Sequence, residues 1–350
     1  MNSRQDQRVS EGGAAILSGR DTIVNQGLSP DDMRAIVESL SDQMPKLAQT
    51  AAALMEVRLE SFKKEILERF EQDADTKREA FADPDFQHVL LDAQRAYART
   101  GDTGTHGTLI DLIATRSSES TGSRRAFAIN ESIAIVSQLT RSEISELAFC
   151  FFVRNTQNSG VNNLESFCNN INHFIDEFLD DIEMDDQSYE YLVAQRCATL
   201  SMGEIRFTEI WRRVYPGLFM KGFSQEEVDQ AVGGYSPNLR SLLVRSVFNP
   251  QNYQPCAISL DVWLRLREDL SINETHRREF WEKAVATLAD DTEILNRLRP
   301  LCPRVDEAIE KWNSSPMKSL ELTTIGKTIG HARLSQVPAF GTPDLSIWIR

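Results

Sequence analysis

From Leu164 to Leu192 the chain carries no lysine or arginine, while Asp176, Glu177, Asp180, Asp181, Glu183, Asp185 and Asp186 crowd one stretch. Carboxylates set at helical spacing can receive a basic partner or a divalent cation, and His173 stands one turn from Glu177 as a second ligand. At the end of a helix these acids oppose the macrodipole and repel one another, each by about a few tenths of a kcal/mol. Asp176, Glu177, Asp180 and Asp181 therefore form a candidate acidic docking face. A solvated face on an acidic chain has the same composition, and the spacing of a calcium loop is absent.

Other chemistry-bearing residues are dispersed. His88, His106, His173, His276 and His331 fall into no metal-protease or deaminase pattern, and no Gly-x-Ser-x-Gly elbow occurs. Cys150 sits among phenylalanines, where a thiol is inert. Gly326-Lys327-Thr328 has the tail of a phosphate loop, but Glu321 stands where that loop needs glycine. Gly326 and Gly330 share a helix face and read better as a close approach to a neighbouring element. Trp211, Tyr215, Phe219 and Phe223, with Arg212, Arg213 and Lys221, have the composition of a base-stacking platform; spacing of four equally describes a buried face. No catalytic residue, cofactor site or metal site is assigned.

The bulk composition is that of an ordinary globular protein. A chain of 350 residues with 41% hydrophobic and 26% charged residues forms a sizeable core. A net charge of -14 repels nucleic acid and anionic lipid. The longest apolar run, Leu147–Val153, is far short of a bilayer span. Five widely spaced cysteines without a Cys-x-x-Cys pair suit a reducing cytoplasm.

Most of the elements that must position these residues read as helix. Ser29-Pro30-Asp31-Asp32 starts one, and its apolar stripe runs Met33, Val37, Leu40, Met44, Leu47, Ala51, then in shifted phase through Met55, Leu59, Phe62, Ile66 and Phe70. Steps of four and three describe a coiled-coil seam or one arm of a helical hairpin, and Pro45 inside the stripe is expected to kink or split it. Asp83-Pro84-Asp85 opens a second helix that stops at Gly101, and Thr140 with Glu143 forms a capping box. Arg116–Arg125 reads as a flexible polar loop. Single helices are expected over 162–184, 187–200 and 292–312.

The two ends are written differently. Ala14-Ala15-Ile16-Leu17 and Thr22-Ile23-Val24 flank a Ser-Gly-Arg-Asp turn, the pattern of a hairpin, and two strands alone are barely stable. Leu345-Ser346-Ile347-Trp348-Ile349 alternates with period two and is the expected intramolecular partner strand. The fold expected is mostly α, a multi-helix bundle with a small β element from the N-terminal hairpin and the C-terminal strand. Its divisions are 1–28 as oligomerisation segment, 29–80 as long kinked helix, 81–202 as helical domain, and 203–350 as second subdomain with a winged-helix-like end.

Several segments together resemble an uncharacterised family of bacterial helical proteins: Gly12-Gly13-x-Ala15-Ile16-x-x-Gly19-Arg20-Asp21, Asp83-Pro84-Asp85-Phe86-Gln87, Leu322-Thr323-x-x-Gly326-x-x-Ile329-Gly330 and Asp344-Leu345-Ser346-Ile347-Trp348-Ile349. The resemblance implies a bacterial, cytoplasmic setting and a helical body; it carries no activity. The Gly19-Arg20-Asp21 start is also similar to short N-terminal segments of bacterial conflict and signalling proteins. The expected function is non-enzymatic self-association, as a homo-oligomer or with another protein partner, in bacterial defence or stress signalling. Ala15, Ile16, Leu17, Ile23, Val24, Ile347, Trp348 and Ile349 are its candidate contacts. The alternative is a nucleic-acid-binding regulator acting through the winged-helix-like end.

Overall fold

Capping side chains decide where most of the helices begin. A computed structural model describes residues 30–72, 76–233, 237–267, 270, 272–341 and 343–349. In chain order the elements are α1 (Pro30–Gln72), α2 (Pro84–Thr100), α3 (Thr103–Ser118), α4 (Arg124–Val136), α5 (Arg141–Asn155), α6 (Leu164–Phe178), α7 (Asp186–Ala194), β1 (Ala198–Leu200), α8 (Phe207–Val214), α9 (Pro216–Phe219), α10 (Gln225–Gly233), β2 (Leu243–Arg245), β3 (Tyr253–Pro255), α11 (Leu260–Arg265), α12 (Glu274–Val285), α13 (Asp291–Leu298), α14 (Val305–Ser314), β4 (Leu320–Leu322) and α15 (Thr324–Leu334). Asp83 accepts from Asp85 N at the start of α2, and Gly101 ends that helix at φ +60°. Thr140 and Glu143 cap α5 reciprocally. Thr323 accepts from the Gly326 N–H at the start of α15.

Among the described residues the architecture is mostly α with two small antiparallel sheets. β1 pairs with β4, Thr199 opposite Glu321, and β2 pairs with β3, Val244 opposite Gln254. Among the described residues the small β elements therefore come from 198–200, 243–245, 253–255 and 320–322. The C-terminal strand is corrected: Leu345–Ile347 is a turn of 3₁₀ helix, opened by Asp344, which accepts from Ser346 N. Leu345 and Ile349 are buried and Ile347 is 61% exposed, so the buried spacing is four, not two. The hairpin expected at 14–24 lies outside the described residues.

Helix boundaries also differ from expectation: the helix expected over 187–200 ends at Ala194, and Ala198–Leu200 is β1. α1 runs through Pro45 without a break; Pro45 is exposed, so water can serve the carbonyl that its ring leaves unpaired. The helix expected over 292–312 is two, α13 and α14, because Pro300 and Pro303 fall between them. The loop expected at 116–125 is tied down. Arg116 is buried at the end of α3, donating to Asp85 Oδ2 at 2.6 Å and to Asn130 Oδ1 at 2.9 Å, and Thr121 bonds Asp83. A buried guanidinium with a carboxylate, an amide and a backbone carbonyl around it fixes the segment.

The chain has two compact units, Met1–Glu56 and Val57–Arg350. Within the second, the larger apolar core runs from Phe62 to Ile349 and takes residues from both sides of position 203. The smaller gathers Met220, Leu239, Leu242, Trp263, Phe280 and Trp281. α5 is buried on every face from Glu143 to Val153, as its apolar run requires. α15 crosses it, and a Cβ on Gly330 would lie 2.8 Å from Phe151 Cβ. The glycines at 326 and 330 do permit the close approach read from their spacing.

Candidate functional site

The apolar stripe of α1 has two fates. Phe62, Ile66 and Phe70 are buried, Phe62 stacking on Tyr97 and Phe70 tilting against Phe81. Met44, Leu47, Leu54, Met55 and Val57 are exposed, Met44 by 61% and Leu54 by 49%. Ala48, Ala51, Ala52 and Ala53 are exposed between them. From Gln43 to Met55 the only charged residue is Lys46. A solvated helix is ordinarily polar on its outer face, so this stretch, apolar and nearly free of charge, has the surface of a helix that meets another.

The candidate docking acids are already paired. Arg304 lies 3.9 Å from Asp176 and also bonds Asp180, while Glu177 receives Arg333 at 2.5 Å. Asp181 accepts from Arg141 Nε at 2.8 Å and from the Ser145 hydroxyl. Asp185 caps α7 through Gln187 N. The acids that sequence leaves without nearby bases thus find arginines 40 to 156 residues away in the chain. His173 is exposed, and among the described residues no group of three or more His, Cys, Asp or Glu could hold a metal ion.

At the C-terminal segment, Trp348 donates its Nε1–H to Asn155 O at 2.7 Å and meets Phe151 edge-on. Ile349 is buried, leaving Ile347 exposed. A 3₁₀ turn offers no ladder of backbone groups to a second strand, so the pairing expected between Leu345–Ile349 and the N-terminal hairpin has no template. Ala15, Ile16, Leu17, Ile23 and Val24 lie outside the described residues.

Titratable groups inside the core were the harder ones to foresee. Glu146 is fully buried, accepting from the Ser188 hydroxyl at 2.7 Å and from Ser142 at 3.4 Å. Burial pushes its carboxyl up to about 8, with Glu143 adding to the effect and the two serine hydroxyls opposing it. Burial likewise raises the Cys150 thiol and the Tyr189 phenol. The signal available in sequence was the absence of any polar face around Glu146 in Ile144–Val153. A neutral acid sealed from solvent cannot exchange a proton with a substrate, however suitable its affinity for that proton.

A polar cleft of about 550 Å³ is lined by Arg69, Lys77, Asp111, Glu119, His331 and Asp344 among others. Its charges are engaged within the chain: Arg69 with Asp111 at 2.9 Å, Glu119 with Arg125 at 2.6 Å, and Lys77 with Ser118 O at 3.2 Å. His331 contacts Pro343 O, and burial holds its imidazole below the usual histidine range. A smaller apolar pocket of about 280 Å³ lies between Val161, Val244, Val247, Ile258 and Val262. Ser335, His331 and Asp344 share the polar cleft, but the Ser335 hydroxyl donates to His331 O, His331 Nε2 contacts Pro343 O and Asp344 accepts from Ser346 N.

Among the described residues, no helix is long and apolar enough to cross a membrane. No curated protein and no solved structure matches the chain. A family model whose description reads ":-like" matches residues 27–349, from the residues just before α1 to the C-terminal turn. The chain belongs to that family.

Proposed function

We propose that the protein is a non-enzymatic, self-associating interaction protein. The observation that carries this reading is the exposed, nearly uncharged apolar stripe of α1 at Met44, Leu47 and Leu54. The Ala15–Leu17 and Ile23–Val24 segments, just upstream of α1, add strand-forming residues to the same end of the chain. The reading extends to a cytoplasmic setting, which suits five free thiols, and to bacterial defence or stress signalling, which the likeness of Gly19-Arg20-Asp21 suggests.

The nucleic-acid alternative has less support. Ile325 to Leu334 of α15 are buried apart from half-buried Lys327, so that helix has no open face for a groove. The cations around it are neutralised: Arg333 by Glu177 at 2.5 Å and Lys318 by Glu204 at 3.2 Å.

Light scattering tests the proposal. The wild-type chain is expected to show a mass above that of the monomer at micromolar concentration, and Leu47→Glu with Leu54→Glu to return it to the monomer. Both positions are exposed, so the unfolding midpoint of the core should be unchanged. A wild-type chain that stays monomeric over the accessible concentration range overturns the reading. Deleting residues 1–27 then measures the share contributed by the N-terminal strands.

A further inference from the structure

We infer that the apolar pocket of about 280 Å³ is a binding site for a neutral aliphatic molecule, a chain of about eight carbons ending in an uncharged polar head. The site is independent of the self-association proposed above, since all of its walls come from Val57–Arg350. It lies where the two apolar cores of that unit meet: Val161 belongs to the larger, Ala257 to the smaller, and Val247 and Ile258 pack against the larger. Boundaries between packed bodies are a common place for small-molecule sites.

The pocket is preformed by hydrogen bonds among its own walls. Gln254, only 2% exposed, donates from Nε2 to Gly217 O at 2.6 Å and accepts from Val247 N at 3.0 Å, so one amide ties α9 to the strand end beyond β2. Gly217 N–H donates to Ile258 O, and a Cβ on Gly217 would lie 2.1 Å from Ala257 O. The Val161 wall is fixed in turn, its N–H reaching Asn158 O while Asn158 N–H donates to the Tyr215 hydroxyl. Walls held in this way do not close over the space they enclose.

The same bonds decide what fits. Both ends of the Gln254 amide, the Gly217 N–H and the Cys256 N–H, which donates to Leu242 O, are engaged within the chain, so the buried part of a ligand finds only carbon to meet. Val161, Val244, Val247, Ile258 and Val262 give branched aliphatic sides, and no residue that lines the pocket is charged or aromatic. A carboxylate would therefore lose water without gaining a cation. Ser159 and Asn162 are exposed at the edge and offer a hydroxyl and an amide to a neutral head. An apolar cavity of about 150 Å³ accepts benzene, so nearly twice that volume takes on the order of eight carbons.

Calorimetry on the full-length chain with straight-chain alcohols from 1-butanol to 1-decanol tests the site. Affinity is expected to rise about three- to fourfold per added carbon and to level off near 1-octanol, where the cavity is full. Octanoate should bind about tenfold more weakly than 1-octanol or worse. Cys256 lines the pocket and is the exposed thiol, the other four being buried, so bound 1-octanol should slow its reaction with a thiol reagent several-fold. Val244→Phe, at a position 38% exposed, should fill the pocket and abolish saturable binding with an unchanged unfolding midpoint, and Val262→Phe, 44% exposed, is the second filler. No saturable heat with any alcohol overturns the inference. So does affinity that climbs through 1-decanol without a break, binding that survives both fillers, or labelling of Cys256 that 1-octanol leaves unchanged. Octanoate binding as tightly as 1-octanol overturns the neutral head.

Discussion

Gly326→Ala is expected to destabilise the protein by about 3 kcal/mol, lowering the unfolding midpoint by several degrees. Helix propensity alone predicts the opposite sign, since alanine in a helix interior gains roughly 0.5–1 kcal/mol over glycine. The difference comes from what the new methyl would meet. A Cβ at position 326 would lie 2.0 Å from the carbonyl oxygen of Cys197, a backbone atom that cannot swing aside. That oxygen accepts from Thr323 N and from the Thr323 hydroxyl, so moving it also strips the cap of α15 and disturbs the joint with β1. Gly330→Ala, with its nearest obstacle at 2.8 Å, should cost less. Gly107→Ala supplies the control, because its Cβ would meet only the end of the Gln336 side chain. Chemical denaturation of the three variants measures the order. A Gly326→Ala protein as stable as Gly107→Ala would refute the close packing of α15 on β1.

The second large effect is a dependence on pH. In the unfolded chain Glu146 has an ordinary carboxyl near 4.5, whereas burial in the folded protein raises it to about 8. Between these values the folded state holds a proton that the unfolded state has released. The stabilising contribution of the neutral acid is complete below about pH 4.5, is lost progressively as pH rises, and is gone above about 8. The total is on the order of 5 kcal/mol. Glu146→Gln keeps the shape and remains neutral, so its stability relative to wild type should rise steadily from pH 5 to pH 8. His106 and His331, both held low by burial, act in the other direction and only below their ordinary value of 6.5. They are common to both proteins and cancel in the difference. Denaturation curves at pH 5, 6.5 and 8 decide the matter, and a flat difference would mean that Glu146 is ionised in the fold.

Local chemistry was the legible part of the sequence. Thr140 with Glu143 and Asp83 before Pro84 each begin a helix because a side-chain oxygen meets an orphan N–H within three residues. The spacing of Gly326 and Gly330 announced a close contact, though not its partner. The C-terminal alternation failed because five residues fit a period of two and a buried i,i+4 pair equally well. Trp348 reaching Asn155 O, 193 residues away in sequence, settled it. The partners of the docking acids were not legible, because Arg304, Arg333 and Arg141 come from distant segments that no local window connects. On α1 the stripe was legible throughout, but only the structure shows that its burial reaches Phe62 and not Leu54.

The enclosed position of α15 also orders events in time. Its contacts close long loops in the chain, such as Arg333 to Glu177 across 156 residues. During synthesis, at about 5–20 residues per second, α5 must wait many seconds for the helix that completes its surroundings. α1 leaves the ribosome long before that, so its exposed apolar stretch from Met44 to Leu54 meets solvent while the core that takes Phe62, Ile66 and Phe70 is still open.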